Sequence, residues 1–479
     1  MNHPAAAFIT QKRALPEAFV AALRSRFGER FSTAGAICDA HGRDESMLDP
    51  MPPDGVVFAE STEDVQDAML LCQQYLVPII AYGTGSSLEG HLLAVKGGIS
   101  LDLSRMTRIL NIQPEDLTAT VEAGVTREAL NAALKDTGLF FPIDPGADAS
   151  LGGMSATRAS GTNAVRYGTM RENVLSLKVV TAAGKIVRTA RRAKKSSAGY
   201  DLTRIFVGSE GTLGIITEVT VKLYPQPEAI SAAICNFETA EAAVNCVIQT
   251  IQLGIPVARV EFLDAACVGA LNSYSHMTLR ETPLLLFEFH GSPASVAEQA
   301  TQVQEIARDN GGQDFSWATA PEDRSKLWKA RHKAYFAGLQ MKPGCRALTT
   351  DVCVPISALA ESITTTTTEL RASKLPSMIV GHVGDGNYHV MLLVDPNQPL
   401  DYEEAESINR RLVSRAISMD GTCTGEHGVG LHKMQFLLEE HGEDALELMR
   451  QLKNAFDPNN ILNPGKIIAL TESKASSFR

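Results

Sequence analysis

Short apolar runs separated by polar turns fill the first half of the chain, from about residue 56 to residue 224. An apolar run at 56–58 precedes an acidic, amphipathic stretch at Thr62–Tyr75, and a second apolar run follows at 78–82. Strand, helix and strand within about 30 residues predict a βαβ start. Downstream, the pattern predicts a helix at Arg127–Thr137 and further strands at 98–103, 118–122, 176–181, 185–189 and 215–223.

The second half of the chain, beyond Pro225-Gln226-Pro227, alternates longer helical patterns with strands. We place a domain boundary at this proline pair, because proline interrupts helices and strands. The mixture is typical of an antiparallel sheet that carries helices on one face, and the fold class is therefore α+β. Helices are predicted at 239–253, 296–310, 324–339, 356–372 and 434–452, and strands at 257–263 and 284–290.

Length, charge and cysteine usage restrict the class of protein. A chain of 479 residues predicts two to four domains, and a net charge of −11 argues against a nucleic-acid-binding protein. No apolar window is long enough for a transmembrane helix, and the N-terminus lacks the apolar core of a secretory signal. The eight cysteines show no CxxC spacing, which is typical of reduced thiols. We therefore expect a cytoplasmic protein, with peripheral attachment to a membrane left open.

Two glycine-rich segments in the second half carry candidate metal ligands. Asp385-Gly386 lies between two apolar runs and predicts a tight two-residue hairpin. Folding about this dipeptide places His382 opposite His389 on one face, with Cβ atoms roughly 4.5–5.5 Å apart. Glu426, which precedes His427, would add a carboxylate. Two histidines and one carboxylate are typical of a catalytic metal site, and both zinc and manganese fit them. The alternative is a solvated hairpin and an unrelated Glu-His pair.

Three glycine-rich loops in the first half predict a phosphate-bearing cofactor. The first, Gly83-Thr84-Gly85-Ser86-Ser87, follows a predicted strand, and the others lie at 145–163 and 208–216. Such loops expose backbone N–H groups to an anion such as a pyrophosphate. Each loop alone could be an ordinary turn. The chain lacks both the GxGxxG dinucleotide fingerprint and the P-loop, so a nicotinamide cofactor or a P-loop nucleotide is not expected.

With these motifs the chain resembles the flavoprotein family that includes vanillyl-alcohol oxidase and p-cresol methylhydroxylase, in its branch of D-2-hydroxyacid dehydrogenases and most closely its D-lactate-oxidising, cytochrome-linked type. The resemblance runs from His41-Gly42-Arg43 to Asn463-Pro464-Gly465-Lys466 and is most specific at 145–150, 161–170, 208–214 and 350–355. It implies four parts: an N-terminal helical segment (1–50), an FAD-binding domain (51–227), an antiparallel-sheet substrate domain with the metal hairpin (228–425), and a C-terminal segment that completes the active site (426–479).

The resemblance also implies roles for particular residues. It implies a divalent metal at His382, His389 and Glu426, a catalytic base at His427, and a contact between Arg331 and the substrate carboxylate. Non-covalent FAD is implied at Tyr82, Gly83, Thr84, Gly85, Ser86, Ser87, Pro145, Gly146, Gly152, Gly153, Thr157, Ser160, Gly161, Asn163, Glu210, Gly211, Gly214, Ile216 and Asn463.

Two departures from the family pattern affect these expectations. His91 stands where a glycine is usual, and some distant relatives attach FAD through a histidine near such a loop. We favour non-covalent FAD, on the expectation that His91 faces solvent. Hydroxyglutarate-type members carry a lysine and an asparagine where this chain has Thr349 and Met391. A site without those polar groups favours a short 2-hydroxy monocarboxylate such as D-lactate over D-2-hydroxyglutarate.

Several partners and alternatives stay open from the sequence. The electron acceptor could be cytochrome c, a quinone or an electron-transfer flavoprotein, and a homodimer is one possible assembly. A subunit of a glycolate oxidase complex is a second interpretation. A metal-dependent hydrolase is a third, because the same ligands can activate water, but it leaves the three glycine-rich loops unexplained.

Overall fold

The computed structural model describes residues 14–318 and 321–470, so the outer parts of the segments 1–50 and 426–479 lie outside the described residues. The N-terminal segment contributes the helices Glu17–Phe27 and Gly35–His41. Helix Thr62–Tyr75 has the predicted bounds and begins where Ser61 accepts the backbone N–H of Asp64. Among the described residues, no helix combines the length and apolar character needed to cross a membrane.

The predicted βαβ start is present in a four-stranded sheet. The strands on either side of helix Thr62–Tyr75 both pair in parallel with a third strand that lies between them. An antiparallel strand completes one edge. In spatial order the strands are Phe31–Ser32, Gly55–Phe58, Ile99–Asp102 and Ile79–Tyr82.

A five-stranded antiparallel sheet follows, and short helices surround it. Its strands in spatial order are Ile109–Gln113, Thr118–Glu122, Ile215–Lys222, Val174–Val180 and Ile186–Arg188. A two-stranded pair, Leu139–Phe140 with Tyr224–Pro225, lies beside it. The helices are Arg127–Leu134, Leu151–Thr157, Ala164–Tyr167, Met170–Asn173 and Leu202–Phe206.

The second half of the chain builds an eight-stranded antiparallel sheet. Its strands in spatial order are Gln313–Ala318, Ala229–Asn236, Leu284–Gly291, Arg259–Leu263, Ser377–His382, Asn387–Val394 and Arg346–Thr349, and Val352–Cys353 also pairs with Asn387–Val394. Ser377–His382 and Asn387–Val394 form the predicted hairpin, called the metal hairpin below. The helices of this half are Ala240–Gln252, Ala265–Ser275, Pro293–Asp309, Pro321–His332, Ala334–Gln340, Leu359–Ala372, Pro399–Ser418 and Leu437–Phe456.

The helices cover both faces of this large sheet, so the prediction of helices on one face only is wrong. Phe262 and Leu285 belong to one apolar core, and their chain neighbours Leu263 and Leu284 belong to another on the opposite face. All eight residues of Asn387–Val394 are buried. Residues 390–394 and 284–287 are unbroken apolar runs, which indicates burial on both sides of the sheet.

The last described residues return to the first sheet. Leu462 forms a parallel bridge with Ile79, and the backbone N–H of Asn463 donates to Ile79 O (2.9 Å). The buried Lys453 Nζ donates to the carbonyl of Thr212 (2.8 Å) and also contacts Asp457. The C-terminal segment therefore packs against the first half of the chain, at strand Ile79–Tyr82 and at the third glycine-rich loop.

Candidate active site

The two predicted metal histidines lie on the metal hairpin, but they are not directly opposite each other. His382 pairs with Asn387 and His389 pairs with Val380, a register two residues from the predicted one. The turn is the reason: residues 383–386 form a four-residue loop in place of a two-residue one. Side chains alternate faces with a period of two, so a shift of two residues keeps both histidines on the same face.

The metal hairpin and Glu426 form a compact cluster of possible metal ligands. The rings of His382 and His389 lie edge to face, with centroids 5.5 Å apart. Nε2 of each ring lies 3.2 Å from the same carboxylate oxygen, Glu426 Oε1. The other oxygen of Glu426 is buried and has no hydrogen-bond partner among the described residues. Two imidazoles and a carboxylate with one unpartnered, buried oxygen fit a divalent metal.

Each histidine is oriented through its other ring nitrogen. His382 Nδ1 donates to Glu261 Oε1 (2.7 Å), and His389 Nδ1 donates to the carbonyl of Thr350 (3.1 Å). A donating Nδ1 leaves the lone pair on Nε2, which is the nitrogen directed into the cluster. Burial raises the pKa of Glu261, but Arg331 and His382 outweigh burial and hold it below its ordinary value.

Arg331 reaches the same carboxylate from helix Pro321–His332. Its Nη2 and Nε lie 2.6 and 2.8 Å from Glu261 Oε2. Arg331 is 9% exposed, so this is a buried ion pair and not the surface pair expected of a helix arginine. Arg331, Glu261 and His382 thus form a continuous series of contacts that ends at the cluster. The predicted contact between Arg331 and a substrate carboxylate stays a prediction.

Asp351 shapes the loop that carries Glu426 and His427. Its Oδ2 accepts the backbone N–H groups of both residues (2.9 Å each) and the hydroxyl of Thr424 (2.8 Å). Lys433 Nζ lies 3.3 Å from the same oxygen. Burial raises the pKa of Asp351, but Lys433 and the neighbouring histidines outweigh burial and hold it well below its ordinary value. A buried, charged carboxylate therefore fixes this loop.

The predicted base, His427, lies beside the cluster. Its ring stacks on His389, with centroids 4.9 Å apart and planes inclined by 8°. Nδ1 is buried and lies 3.4 Å from Glu89 Oε1, and neither atom has a hydrogen-bond partner among the described residues. Burial lowers the pKa of His427, but the nearby carboxylates outweigh burial and raise it above its ordinary value. The ring is thus held between the metal hairpin and a second buried carboxylate.

The three glycine-rich loops meet at the end of strand Ile79–Tyr82. A Cβ added to Gly83 would lie 2.7 Å from Ser150 Oγ, and one added to Gly211 would contact the side chain of Ala81 (3.7 Å). Gly146 has open space around it. The hydroxyl of Ser209 is buried and has no hydrogen-bond partner among residues 14–318 and 321–470. Close backbone surfaces and an unpartnered buried hydroxyl fit a large polar cofactor such as FAD.

Other predicted FAD residues have partners within the protein. Asn163 Oδ1 accepts from Arg259 (3.0 Å) and its amide donates to the carbonyl of Pro142 (2.9 Å), so it ties the two halves of the chain together. Thr157 donates to the carbonyl of Gly153 (3.2 Å) within one helix. The remaining predicted FAD residues of the first half lie in or next to the three loops: Tyr82, Thr84, Gly85, Ser86, Ser87, Pro145, Gly152, Ser160, Gly161, Gly214 and Ile216.

Glu210 connects the third glycine-rich loop to the loop of His427. Its Oε1 accepts the backbone N–H of Val429 (2.7 Å) and its Oε2 accepts that of Gly430 (2.8 Å). The amide of Asn463 donates to the carbonyl of Glu210 (2.9 Å) and to that of His91 (3.1 Å). One carboxylate and one amide therefore fasten the predicted cofactor loops to the predicted catalytic loop.

His91 does not face solvent, and that expectation is wrong. The residue is 4% exposed, and its Nε2 lies 3.3 Å from Glu210 Oε2. Gly428 leaves no room for a side chain here, because a Cβ on it would lie 2.8 Å from His91 Nε2. Burial lowers the pKa of His91, but Glu210 outweighs burial and raises it. His91 is therefore a buried side chain that contacts Glu210, and neither of its ring nitrogens has a hydrogen-bond partner among the described residues.

Thr349 and Met391 are directly opposed on neighbouring strands. Met391 is packed in an apolar core, where a Cβ on Gly338 would lie 2.4 Å from its sulfur. The hydroxyl of Thr349 is buried and unpartnered among the described residues. Their predicted role in substrate choice stays a prediction.

Sequence reasoning gave no role to three buried carboxylates: Glu261, Asp351 and Glu89. Glu261 had a signal, because a charged residue in the apolar strand Arg259–Leu263 needs a buried partner. Glu89 lies two residues beyond the first glycine-rich loop. Asp351 belongs to a family motif, but its contact with the backbone of residues 426 and 427 joins positions about 75 apart and has no local signal.

Comparisons with known proteins identify the domains and the fold. Residues 53–190 match the family model of the FAD binding domain, and residues 226–467 match that of the FAD linked oxidases, C-terminal domain. In fold, the chain is similar to p-cresol methylhydroxylase, with a TM-score of 0.80 at 18% identity over 95% of this chain and 98% of that one. The fold is therefore that of the FAD-binding flavoproteins of this type, with mixed helices and antiparallel sheets.

Relatives of this chain show the family to which it belongs. A probable mitochondrial D-lactate dehydrogenase of Danio rerio is 50% identical over 96% of this chain and 94% of its own length. The mitochondrial D-lactate dehydrogenase [cytochrome] of Arabidopsis thaliana is 50% identical over 87% of this chain and 73% of its own. A glycolate oxidase subunit of Bacillus subtilis is 35% identical over 87% and 89%. The chain belongs to the FAD-linked oxidase family of flavoproteins.

Proposed function

We propose that this protein oxidises D-lactate to pyruvate with FAD. The observation that carries the proposal is the cluster of His382, His389 and Glu426 beside His427, in a chain whose relatives at 50% identity are named D-lactate dehydrogenases. A metal-dependent hydrolase would leave the FAD-binding domain without a role.

Each side chain of the cluster has a place in this proposal. His382, His389 and Glu426 would hold zinc or manganese, which when bound polarises the hydroxyl and carboxylate oxygens of a 2-hydroxy acid. His427 takes the hydroxyl proton, for which an imidazole is suited. Arg331 would contact the substrate carboxylate, for which its planar guanidinium group is suited. The bound FAD supplies the hydride acceptor.

The proposal includes a division of the chain and non-covalent FAD. We propose that 51–227 binds FAD at the residues named above, that 228–425 binds substrate, and that 426–479 completes the site, with 1–50 as an N-terminal addition. The buried ion pair between His91 and Glu210 supports non-covalent attachment. Extraction of the flavin by acid precipitation would test this point, because a covalent flavin stays with the protein.

The substrate and the electron acceptor are proposed from two side chains of the site and from the names of relatives. Thr349 and Met391 offer little to a second carboxylate, which favours D-lactate over D-2-hydroxyglutarate. Glycolate is the second candidate, because a relative at 35% identity is named a glycolate oxidase subunit. We propose a cytochrome as electron acceptor on the names of the relatives. None of the eight cysteines, all of which lie among the described residues, forms a disulfide, which suits a reducing compartment such as the cytoplasm, whereas several relatives are named mitochondrial.

Anaerobic reduction of the bound flavin by a panel of D- and L-2-hydroxy acids tests the proposal. D-lactate should bleach the flavin fastest, and L-lactate should not. His427→Ala should slow bleaching by about 10²–10⁴-fold and leave the flavin spectrum intact. His441→Ala, which removes a histidine that is 37% exposed on helix Leu437–Phe456, is the control. Near-normal bleaching by His427→Ala would remove this residue from the mechanism.

A further inference from the structure

A run of basic residues begins at the turn before strand Ile186–Arg188, at the edge of the five-stranded sheet. Residues 185–200, called the basic segment below, contain six lysines and arginines and no aspartate or glutamate. The whole chain, by contrast, carries a net charge of −11. None of the residues named above for cofactor, metal or substrate lies in this segment. The six cations are Lys185, Arg188, Arg191, Arg192, Lys194 and Lys195.

Most of the basic segment is exposed. Every residue from 191 to 200 is exposed, and a Cβ added to Gly199 would have nothing within 4 Å. At one end the hydroxyl of Ser176 donates to the carbonyl of Ala190 (2.7 Å), and helix Leu202–Phe206 begins just beyond the other end. The segment is therefore a protruding surface loop whose two ends are fixed by the fold.

The positive charge of the basic segment is largely unpaired. Arg192 lies 3.2 Å from Asp116, and the two side chains are 47% and 51% exposed. Within residues 14–318 and 321–470, the other five cations form no ion pair. The next acid along the chain, Asp201, caps helix Leu202–Phe206 by accepting the backbone N–H of Arg204 (3.2 Å). A concentrated charge that the protein does not neutralise attracts a partner of the opposite sign.

Two exposed apolar side chains accompany these cations. Tyr200 is 93% exposed, and Ile186 is 40% exposed. Ile186 and Arg188 are two residues apart on one strand, so their side chains lie on the same face of it. Clustered lysines and arginines are typical of a contact with anionic lipids, and an exposed tyrosine is typical of the headgroup level of a bilayer.

We infer that the basic segment binds the surface of an anionic lipid bilayer, with Tyr200 at the level of the headgroups. A stable protein interface has a well-packed apolar centre, whereas the basic segment offers dispersed cations and only two large apolar side chains, Ile186 and Tyr200. A bilayer requires no such centre, because it attracts every cation that lies within a Debye length of its surface, about 8 Å at physiological salt. The inference does not depend on the proposed function.

Sedimentation with lipid vesicles tests the inference. The FAD-loaded protein is mixed with vesicles of phosphatidylcholine alone or of phosphatidylcholine with phosphatidylglycerol. At low salt it should sediment with the anionic vesicles and not with the neutral ones. Raising the salt from about 0.01 M to about 0.15 M shortens the Debye length from about 30 Å to about 8 Å and should weaken binding by about tenfold or more.

A variant with four substitutions removes most of the exposed charge. Each cation near an anionic bilayer strengthens binding by about fivefold, so loss of four should lower the partition coefficient by about 10²–10³-fold. All four side chains are exposed, so the variant should keep its fold. The substitutions, made together, are Arg191→Gln, Arg192→Gln, Lys194→Gln and Lys195→Gln.

The matched control removes four exposed lysines from the second half of the chain. It changes the net charge by the same amount and should bind the anionic vesicles nearly as well as the unmodified protein does. The substitutions of the control are Lys326→Gln, Lys329→Gln, Lys333→Gln and Lys342→Gln.

Tyr200→Trp reports whether the basic segment itself reaches the bilayer. The chain has only two tryptophans, so the fluorescence of a third can be separated from theirs. With anionic vesicles, lipids brominated on their acyl chains should quench the fluorescence of Tyr200→Trp. They should not quench that of Leu253→Trp, the control at a position that is 69% exposed just after helix Ala240–Gln252.

The outcomes are distinguishable. Failure to sediment with anionic vesicles at low salt, binding that the four substitutions leave unchanged, or an equal loss in the lysine control would each overturn the inference. Tighter binding to soluble polyglutamate than to the vesicles would also overturn it, because it would indicate an acidic protein as the partner. Bleaching of the flavin by D-lactate should be normal in every variant, and its failure in the unmodified protein would overturn the proposed function alone.

Discussion

Replacement of Glu261 with glutamine should weaken metal binding although Glu261 is not itself a proposed ligand. The carboxylate is fully buried and accepts from Arg331 through one oxygen and from His382 through the other. A glutamine keeps one acceptor oxygen, which His382 can use, but directs an N–H₂ group at the arginine. Glutamine is neutral, so Arg331 loses its buried counter-charge in either orientation of the amide, and His382 loses its acceptor when the amide oxygen faces Arg331.

The size of the effect follows from these contacts. Loss of one partner of a buried ion pair costs about 3–5 kcal/mol of stability. Loss of the group that orients a metal-binding histidine lowers metal affinity by about 10–100-fold, which is about 1.4–2.8 kcal/mol at 1.4 kcal/mol per tenfold. Urea unfolding measures the first quantity, and competition with a chelator measures the second, for both zinc and manganese.

Glu288 offers a matched control on the neighbouring strand. It is also buried, and its Oε1 contacts His290 (2.8 Å) and Arg259 (3.5 Å) away from the cluster. Glu288→Gln should therefore lower stability by a similar amount and leave metal affinity unchanged. If Glu261→Gln binds metal as tightly as the unmodified protein, the assignment of Glu261 as the group that orients His382 is wrong.

Three further predictions concern the loops and the fold. Asn463→Ala removes two hydrogen bonds to the cofactor loops, one of them to the Glu210 carbonyl, and at about 1 kcal/mol each should weaken FAD binding roughly tenfold or more, read from the fluorescence of released flavin. Burial lowers the pKa of Lys466 from 10.5 to about 8, so between these pH values the unfolded chain binds more protons than the folded one and the free energy of unfolding rises with pH. Lys466→Met should abolish that rise, measured by urea unfolding at several pH values. An unchanged dependence of the free energy of unfolding on pH would refute the prediction. Gly386→Ala should lower the melting temperature, because φ is +81° and a Cβ would lie 2.1 Å from Val354 O; an unchanged melting temperature would mean that the turn can move.

Local pattern predicted most elements of this fold. Helix Thr62–Tyr75 and strand Thr118–Glu122 have the predicted bounds. The threonine run 364–368 lies inside helix Leu359–Ala372, as predicted despite the strand preference of threonine. Thr367 and Thr368 donate their hydroxyls to the carbonyls four residues earlier, so the helix satisfies them internally. Burial of one face of this helix then outweighs intrinsic propensity.

The sequence could bring the candidate ligands together but could not give their geometry. The predicted register of the metal hairpin depended on a two-residue turn, and the four-residue loop changed which residues oppose His382 and His389. Side chains alternate between the two faces of a strand, so a shift of two residues leaves His382 and His389 on the same face. The predicted ligand set is therefore unchanged although the predicted register is wrong. The partner that orients His382 could not be predicted from the sequence, because Glu261 is 121 residues from His382 and its pairing depends on how distant strands pack.

The carboxylate of Glu210 couples the predicted cofactor loops to the loop that carries the predicted metal ligand Glu426. It joins a cofactor loop to the backbone at Val429 and Gly430, next to the residues that would hold the metal and take the proton. If bound flavin orders the first loop, it also favours the arrangement of the second that the metal requires. Linkage is reciprocal, so the factor by which FAD tightens metal binding must equal the factor by which the metal tightens FAD binding. The affinity of FAD or of the metal, measured without the other, would then be lower than its affinity for the protein that has already bound the other group.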